Sequence, residues 1–92
     1  MDLQDLRKQI DEVDDDLVRL FQMRMDISAE IARYKQQHNI PVYDPKREQQ
    51  KLCDLAGKVK EGREPCVVAL YSLLFELSRA EQQRILKEQE KG

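Results

Sequence analysis

Ninety-two residues, 40% apolar and 37% charged, suffice for one small domain, near the size at which a single chain buries only a modest core. The net charge of -2 argues against nucleic acid or an anionic membrane surface as the main partner, because both select a basic surface. No apolar run is long enough to span a bilayer, and the first residues lack the basic and hydrophobic regions of a secretion signal, so the chain reads as cytoplasmic.

From Leu3 the apolar positions continue through Leu6, Ile10, Val13, Leu17 and Leu20, meet Arg24, and resume at Ile27, Ile31 and Tyr34. Alternating steps of three and four make this a heptad seam. Asp2 can cap the first turn, no Gly or Pro precedes Pro41, and Asn39 suits a helix end, so the pattern predicts one helix over about residues 2–37. Such a helix is roughly 54 Å long at ~1.5 Å per residue, whereas a compact chain of this length has a radius of gyration of about 12 Å. One chain cannot cover it. A second copy wrapped along it, in an intertwined dimeric bundle, is the expected solution.

The segment from His38 to Tyr43 reads as an extended connection, since Pro41 disfavours helix before it. Asp44-Pro45 then supplies an N-cap and a proline at the first helical position, opening a second helix over about residues 45–60 with the stripe Glu48, Leu52, Leu55 and Val59. Gly57 weakens it internally, and Gly62 is the expected stop. A third helix, about 65–86, opens at Pro65 and carries Val67, Tyr71, Leu74, Ser78, Gln82 and Ile85 on one face. Residues 87–92 read as a polar, frayed tail. No strand alternation or repeat occurs, so the fold class is all-α, three helices in a single domain over 1–92.

Each apolar stripe has a polar interruption: Arg24 in the first, Glu48 in the second, Ser78 and Gln82 in the third. One polar residue in a seam is commonly a register device. Interruptions on all three helices instead imply faces that meet around a polar cavity. Lys35 follows Arg24 by almost three whole turns, ~16 Å along the axis, and small Ser28 lies between them on the same face. Arg47 and Glu48 occupy the first turn of the second helix, where free N–H groups favour anions or hydroxyls. Arg24, Lys35 and Arg47 in an acidic chain suit a small dicarboxylate, because arginine binds carboxylate as a fork. Lys46 and Lys51 read as ordinary solvated cations. Cys53 and Cys66 lack metal-ligand spacing, and with a lone His38 the sequence offers nothing from which to build a metal site or a nucleophile and base pair.

The set formed by Arg7, Arg24-Met-Asp-Ile-Ser-Ala-Glu-Ile-Ala-Arg-Tyr-Lys35, Pro41-Val-Tyr-Asp44-Pro-Lys-Arg47-Glu48 and Ser78-Arg-Ala-Glu-Gln82 resembles the all-helical chorismate mutases, in one register over roughly residues 3–86. The resemblance implies an isomerase of phenylalanine and tyrosine biosynthesis, converting chorismate to prephenate without a cofactor. It implies substrate contacts from Arg7, Arg24, Lys35, Asp44, Arg47, Glu48, Ser78 and Gln82. Arg7 from the partner chain and Arg24 would hold the two carboxylates, and Lys35 and Gln82 would donate to the ether oxygen. Glu48 and the backbone near Asp44 would meet the ring hydroxyl, with Arg47 and Ser78 completing the carboxylate network. Geometry agrees on Arg7: it lies ~25 Å from Arg24 along a straight helix, too far to share a small ligand within one chain. Two rivals remain at this stage: an isochorismate-pyruvate lyase on the same scaffold, and a helical dimerisation module without activity.

Overall fold

The computed structural model describes the backbone of residues 1–91 and the side chains of residues 1–88. It contains three helices, α1 (Leu3–Gln37), α2 (Pro45–Ala56) and α3 (Glu64–Lys91), with no strand among the described residues.

Local chemistry sets most of the boundaries. Asp2 and Asp5 form a reciprocal capping box, the Asp2 carboxylate accepting from the Asp5 N–H at 2.9 Å and the Asp5 carboxylate from the Asp2 N–H at 3.4 Å, which satisfies two donors that a helix start leaves unpaired. At the other end Asn39 adopts a positive φ of 55° and the Ile40 N–H returns to the Lys35 carbonyl at 2.8 Å, a left-handed stop that asparagine tolerates better than most residues. Asp44 caps α2, its carboxylate accepting from the Arg47 N–H at 3.0 Å, with Pro45 in the first turn.

Two boundaries differ from the periodicity. α2 stops at Ala56 and not near residue 60, because Gly57, the weakest helix former beyond the first turn, becomes its C-cap. In α3, residues 87–91 of the expected tail continue the helix; Gly92 lies outside the described residues. Ion pairs from Arg84 to Glu81 and to Glu88, each 2.6 Å, have the three- and four-residue spacing that reinforces a helix surface.

α3 packs against both α1 and α2, which do not pack against each other. The result is an open slab of 54 × 28 × 14 Å with a radius of gyration of 16.7 Å. The buried apolar residues are Ala32, Phe75 and Ile85, too few to hold three helices together. The face of α1 turned to α3 is the Ser28–Ala32 stripe, one residue out of phase with the heptad seam, whose Ile27 and Ile31 are 54% and 42% exposed. Leu3, Leu6, Ile10, Val13 and Leu17 on the same seam are exposed too, as are Leu70, Leu73 and Leu77 of α3. Completing the burial of a half-exposed Leu, Ile or Val is worth about 1 kcal/mol, so covering the seam would contribute on the order of 10 kcal/mol, comparable to a domain's whole stability.

The two turn glycines should respond oppositely to a methyl group. Gly62 has φ +92° with nothing within 4 Å of an added Cβ, whereas Gly57 has φ -74° and meets its nearest atom at 3.6 Å. Gly62→Ala is expected to destabilise by about 1 kcal/mol and Gly57→Ala to stabilise by about 0.5–1 kcal/mol. Urea unfolding of both variants at one protein concentration checks the opposite signs.

Candidate active site

Where the C-terminal half of α1 crosses α3, the small side chains of Ser28, Ala32 and Ser78 let the backbones approach. Gln82 Nε2 donates to Ser28 Oγ at 2.9 Å, and the Ser28 hydroxyl donates to the Ser78 carbonyl at 3.4 Å. Arg24 Nη1 donates to Ser78 Oγ at 2.5 Å. The Arg24 guanidinium also lies 5.8 Å from the Tyr71 ring centroid and 5.6 Å from that of Phe75, so two aromatic faces and a hydroxyl hold the cation that interrupts the seam.

α2 and the connection before it close the other side of a cavity of about 490 Å³, within the usual range for small-molecule sites. Of the residues singled out in the sequence, Arg24, Lys35, Asp44, Arg47, Glu48, Ser78 and Gln82 line it. Arg7 does not; it is exposed on the projecting half of α1. Lys35 Nζ donates to the Val42 carbonyl at 2.9 Å, which aims the ammonium at the cavity and leaves two of its three N–H bonds for a ligand. Ile27, Ile31 and Phe75 supply an apolar floor.

Two charged lining residues escaped the sequence reading, as did the apolar Phe75. Lys51, expected to be solvated, lines the cavity one turn beyond Arg47 and is half-buried. The i,i+4 spacing from Arg47 was the available signal. Arg79 lines it as well, and its Nη1 donates to both Glu48 carboxylate oxygens at 2.5 Å. That hydrogen bond raises the Arg79 guanidinium above its ordinary value; partial burial opposes the rise and the Glu48 charge adds to it.

The wall therefore carries five cations, Arg24, Lys35, Arg47, Lys51 and Arg79, against two carboxylates, Asp44 and Glu48. Among the described residues only Arg79 of the five forms an ion pair. Gln82 is 7% exposed and its Oε1 is buried without a partner, which marks a polar contact still to be made. No group of His, Cys, Asp or Glu among the described residues could hold a metal ion. Among the described residues no helix is long and apolar enough to cross a membrane.

Fold and cavity together define an all-helical protein with a cationic site for a small anion carrying more than one negative charge. The chain belongs to the chorismate mutase type II family, whose profile matches residues 6–83. It is 32% identical to the chorismate mutase of Methanocaldococcus jannaschii, over 94% of this chain and 89% of that protein. The solved chorismate mutase of Helicobacter pylori in complex with prephenate superposes with a TM-score of 0.84 at 36% identity, over 94% of each chain. A 46-residue stretch is 41% identical to the T-protein of Haemophilus influenzae, of whose length the chain spans 12%.

A site that binds through unpaired cations must respond to salt. The KM for a dianionic ligand is expected to rise several-fold between about 20 mM and about 500 mM NaCl, beyond the Debye screening of a single surface charge. Steady-state kinetics across that range would reveal it, and a flat KM would contradict a site governed by charge.

Proposed function

We propose that the chain is the catalytic domain of a chorismate mutase, active as a cytoplasmic homodimer in which Arg7 of each protomer completes the site of the other. The observation that carries the reading is the cavity itself, a small apolar-floored pocket with four cations outside any ion pair, three of which, Arg24, Lys35 and Arg47, are residues that the family resemblance selects. The unpaired state of Cys53 and Cys66 suits a reducing compartment.

The reaction is a unimolecular [3,3] rearrangement. The ether C–O bond of chorismate breaks as a C–C bond forms, and electron pairs shift within one molecule, so no external proton, electron or nucleophile is consumed. The protein then has two tasks: to hold the flexible substrate compact, and to stabilise the negative charge that grows on the ether oxygen. Arg24 and the partner's Arg7 hold the two carboxylates, with Arg47 and Ser78 completing that network. Lys35 donates to the ether oxygen with the N–H bonds that Val42 leaves unused. Gln82 joins it once its amide turns about its terminal bond: Oε1 then takes the Ser28 hydroxyl proton from its long 3.4 Å contact with the Ser78 carbonyl, and Nε2, released from Ser28 Oγ, donates to the ether oxygen. Glu48 and the backbone near Asp44 receive the ring hydroxyl.

The dimer rests on the exposed seam and on distance. The same α1 surface that lacks a cover within the chain carries Arg7, and Arg7 cannot reach Arg24 of its own straight helix, ~25 Å away. An antiparallel partner helix brings a second Arg7 to each cavity while covering both seams.

Purified protein is expected to consume the ultraviolet absorbance of chorismate and yield prephenate. Lys35→Ala should cut kcat by roughly 100- to 1000-fold, the scale of losing one transition-state donor, while shifting the thermal midpoint by only a few degrees. Release of pyruvate from isochorismate without turnover of chorismate would favour the lyase, and inertness toward both would favour a binding module. Trans supply of Arg7 has its own test. Arg7→Ala and Arg24→Ala chains, each inactive alone, should regain roughly a quarter of wild-type activity when co-refolded in equal amounts, since half of the dimers are mixed and each mixed dimer has one intact site. No recovery would place both arginines in one chain's site.

A further inference from the structure

Arg79 belongs to no role assigned above, yet it ties together three segments of the cavity wall. It follows Ser78 on α3, grips both oxygens of Glu48 in the first turn of α2, and lays its guanidinium 4.9 Å from the ring centroid of Tyr43, in the connection between α1 and α2. Its side chain is 29% exposed and that of Glu48 22%. The other ion pairs among the described residues are three or four positions apart on one helix, the kind worth only tenths of a kcal/mol. This one joins two elements that face the same cavity.

A glutamate in the first turn of a helix has three rotatable bonds and no intrinsic reason to aim at a ligand. Both Glu48 oxygens converge on a single Nη1, so each retains lone-pair capacity, since an ionised carboxylate accepts about four hydrogen bonds. Arginine suits the task where lysine does not, because its planar fork can stack on Tyr43 and donate in plane at once. A cross-link serving stability alone would have no need to sit on the cavity wall or to engage the one carboxylate there that is not spent on a helix cap, Asp44 being held by the Arg47 N–H.

We infer that Arg79 is a positioning residue that fixes the Glu48 carboxylate toward the substrate's ring hydroxyl, and so determines the enzyme's selectivity for a hydroxylated ring. The inference rests on the mutase reading of the site. Arg79 does not touch the reacting bonds; it acts through Glu48.

The test compares kcat/KM for chorismate with kcat/KM for an analogue lacking the ring hydroxyl, in dimeric wild type, Glu48→Gln, Arg79→Gln, Arg79→Lys and the double variant Glu48→Gln/Arg79→Gln. A general loss from the exposed Glu48 charge affects both dianions and cancels in the ratio, as does a loosened fold. The preference for the hydroxylated substrate is expected to fall about tenfold in Arg79→Gln, the scale of one misdirected charged hydrogen bond. Arg79→Lys should recover part of it, and Arg79→Gln should leave the ratio unchanged in the Glu48→Gln background, since the two residues act as a unit. An unchanged ratio in Arg79→Gln, with Glu48→Gln still lowering it, overturns the role of Arg79 alone. An unchanged ratio in both removes Glu48 from hydroxyl recognition and Arg79 with it, and a wild type that leaves chorismate intact overturns the mutase reading and this inference together. If Arg79→Gln fails to fold, Arg79→Met, which keeps the length of the side chain and removes its charge and donors, carries the same comparison.

Discussion

The close crossing of α1 and α3 through Ser28, Ala32 and Ser78 governs the rest of the structure. Two helices normally lie 8–10 Å apart, by an amount set by the side chains at the contact, and here the contact is a methyl and two hydroxyls. That approach lets Gln82 reach Ser28 and lets Arg24 reach Ser78. It also turns the Ser28–Ala32 stripe inward, with Arg24, Ile27 and Ile31 of the seam at the cavity beside it, and leaves the seam from Leu3 to Leu17 without a cover. Larger residues at 28 or 32 would push the helices apart, and one at 28 would also fill the cavity. One α1 surface thus serves the site and the adjoining one serves assembly.

Charge distribution follows the same division. The chain is acidic overall, yet its cavity is lined by five cations and two carboxylates. Five of the eighteen acidic residues lie instead in the exposed run from Asp11 to Asp16 on the projecting part of α1, about two to three and a half turns before Arg24. Partly buried cations without counter-ions cost stability in the empty protein, and Arg24 recovers only part of that cost from Tyr71, Phe75 and Ser78. A dianion supplies the missing charge. Binding strength is therefore stored as incomplete satisfaction of the folded chain, the usual tension between stability and function at a built site.

The helix starts were legible in the sequence because capping is local: Asp2 with Asp5, and Asp44 with Pro45, act within four residues of their own backbone. The polar interruptions were legible for a similar reason, since a wrong residue type at a periodic position needs no partner to be noticed. Periodicity found the α1 seam but could not say what lies against it, and the chain's own α3 takes the neighbouring stripe. Lys51 and Arg79 were missed because a charged residue beside a helix stripe looks the same whether it faces water or a cavity. Their identity as wall residues depends on where α2 docks on α3, a non-local fact. The Val42 carbonyl that aims Lys35 is beyond any reading of side chains. The early stop of α2 at Gly57 and the helical continuation of α3 past residue 86 were decided by small propensity and ion-pair terms that balance differently once the helices pack.

The cofactor-free reaction proposed here places an unusual demand on such a scaffold. With no covalent intermediate to hold the substrate, rate comes only from shape and fixed charge, and both fail if the wall can move. A slab 14 Å thick whose apolar core is three residues has little rigidity of its own. Covering the α1 seam with a second copy would therefore do more than deliver Arg7: it would immobilise the helix that carries Arg24, Ser28 and Lys35 along one face. Folding, assembly and preorganisation of the charge around the ether oxygen then become a single cooperative event. The long uninterrupted helix is the element that makes them one.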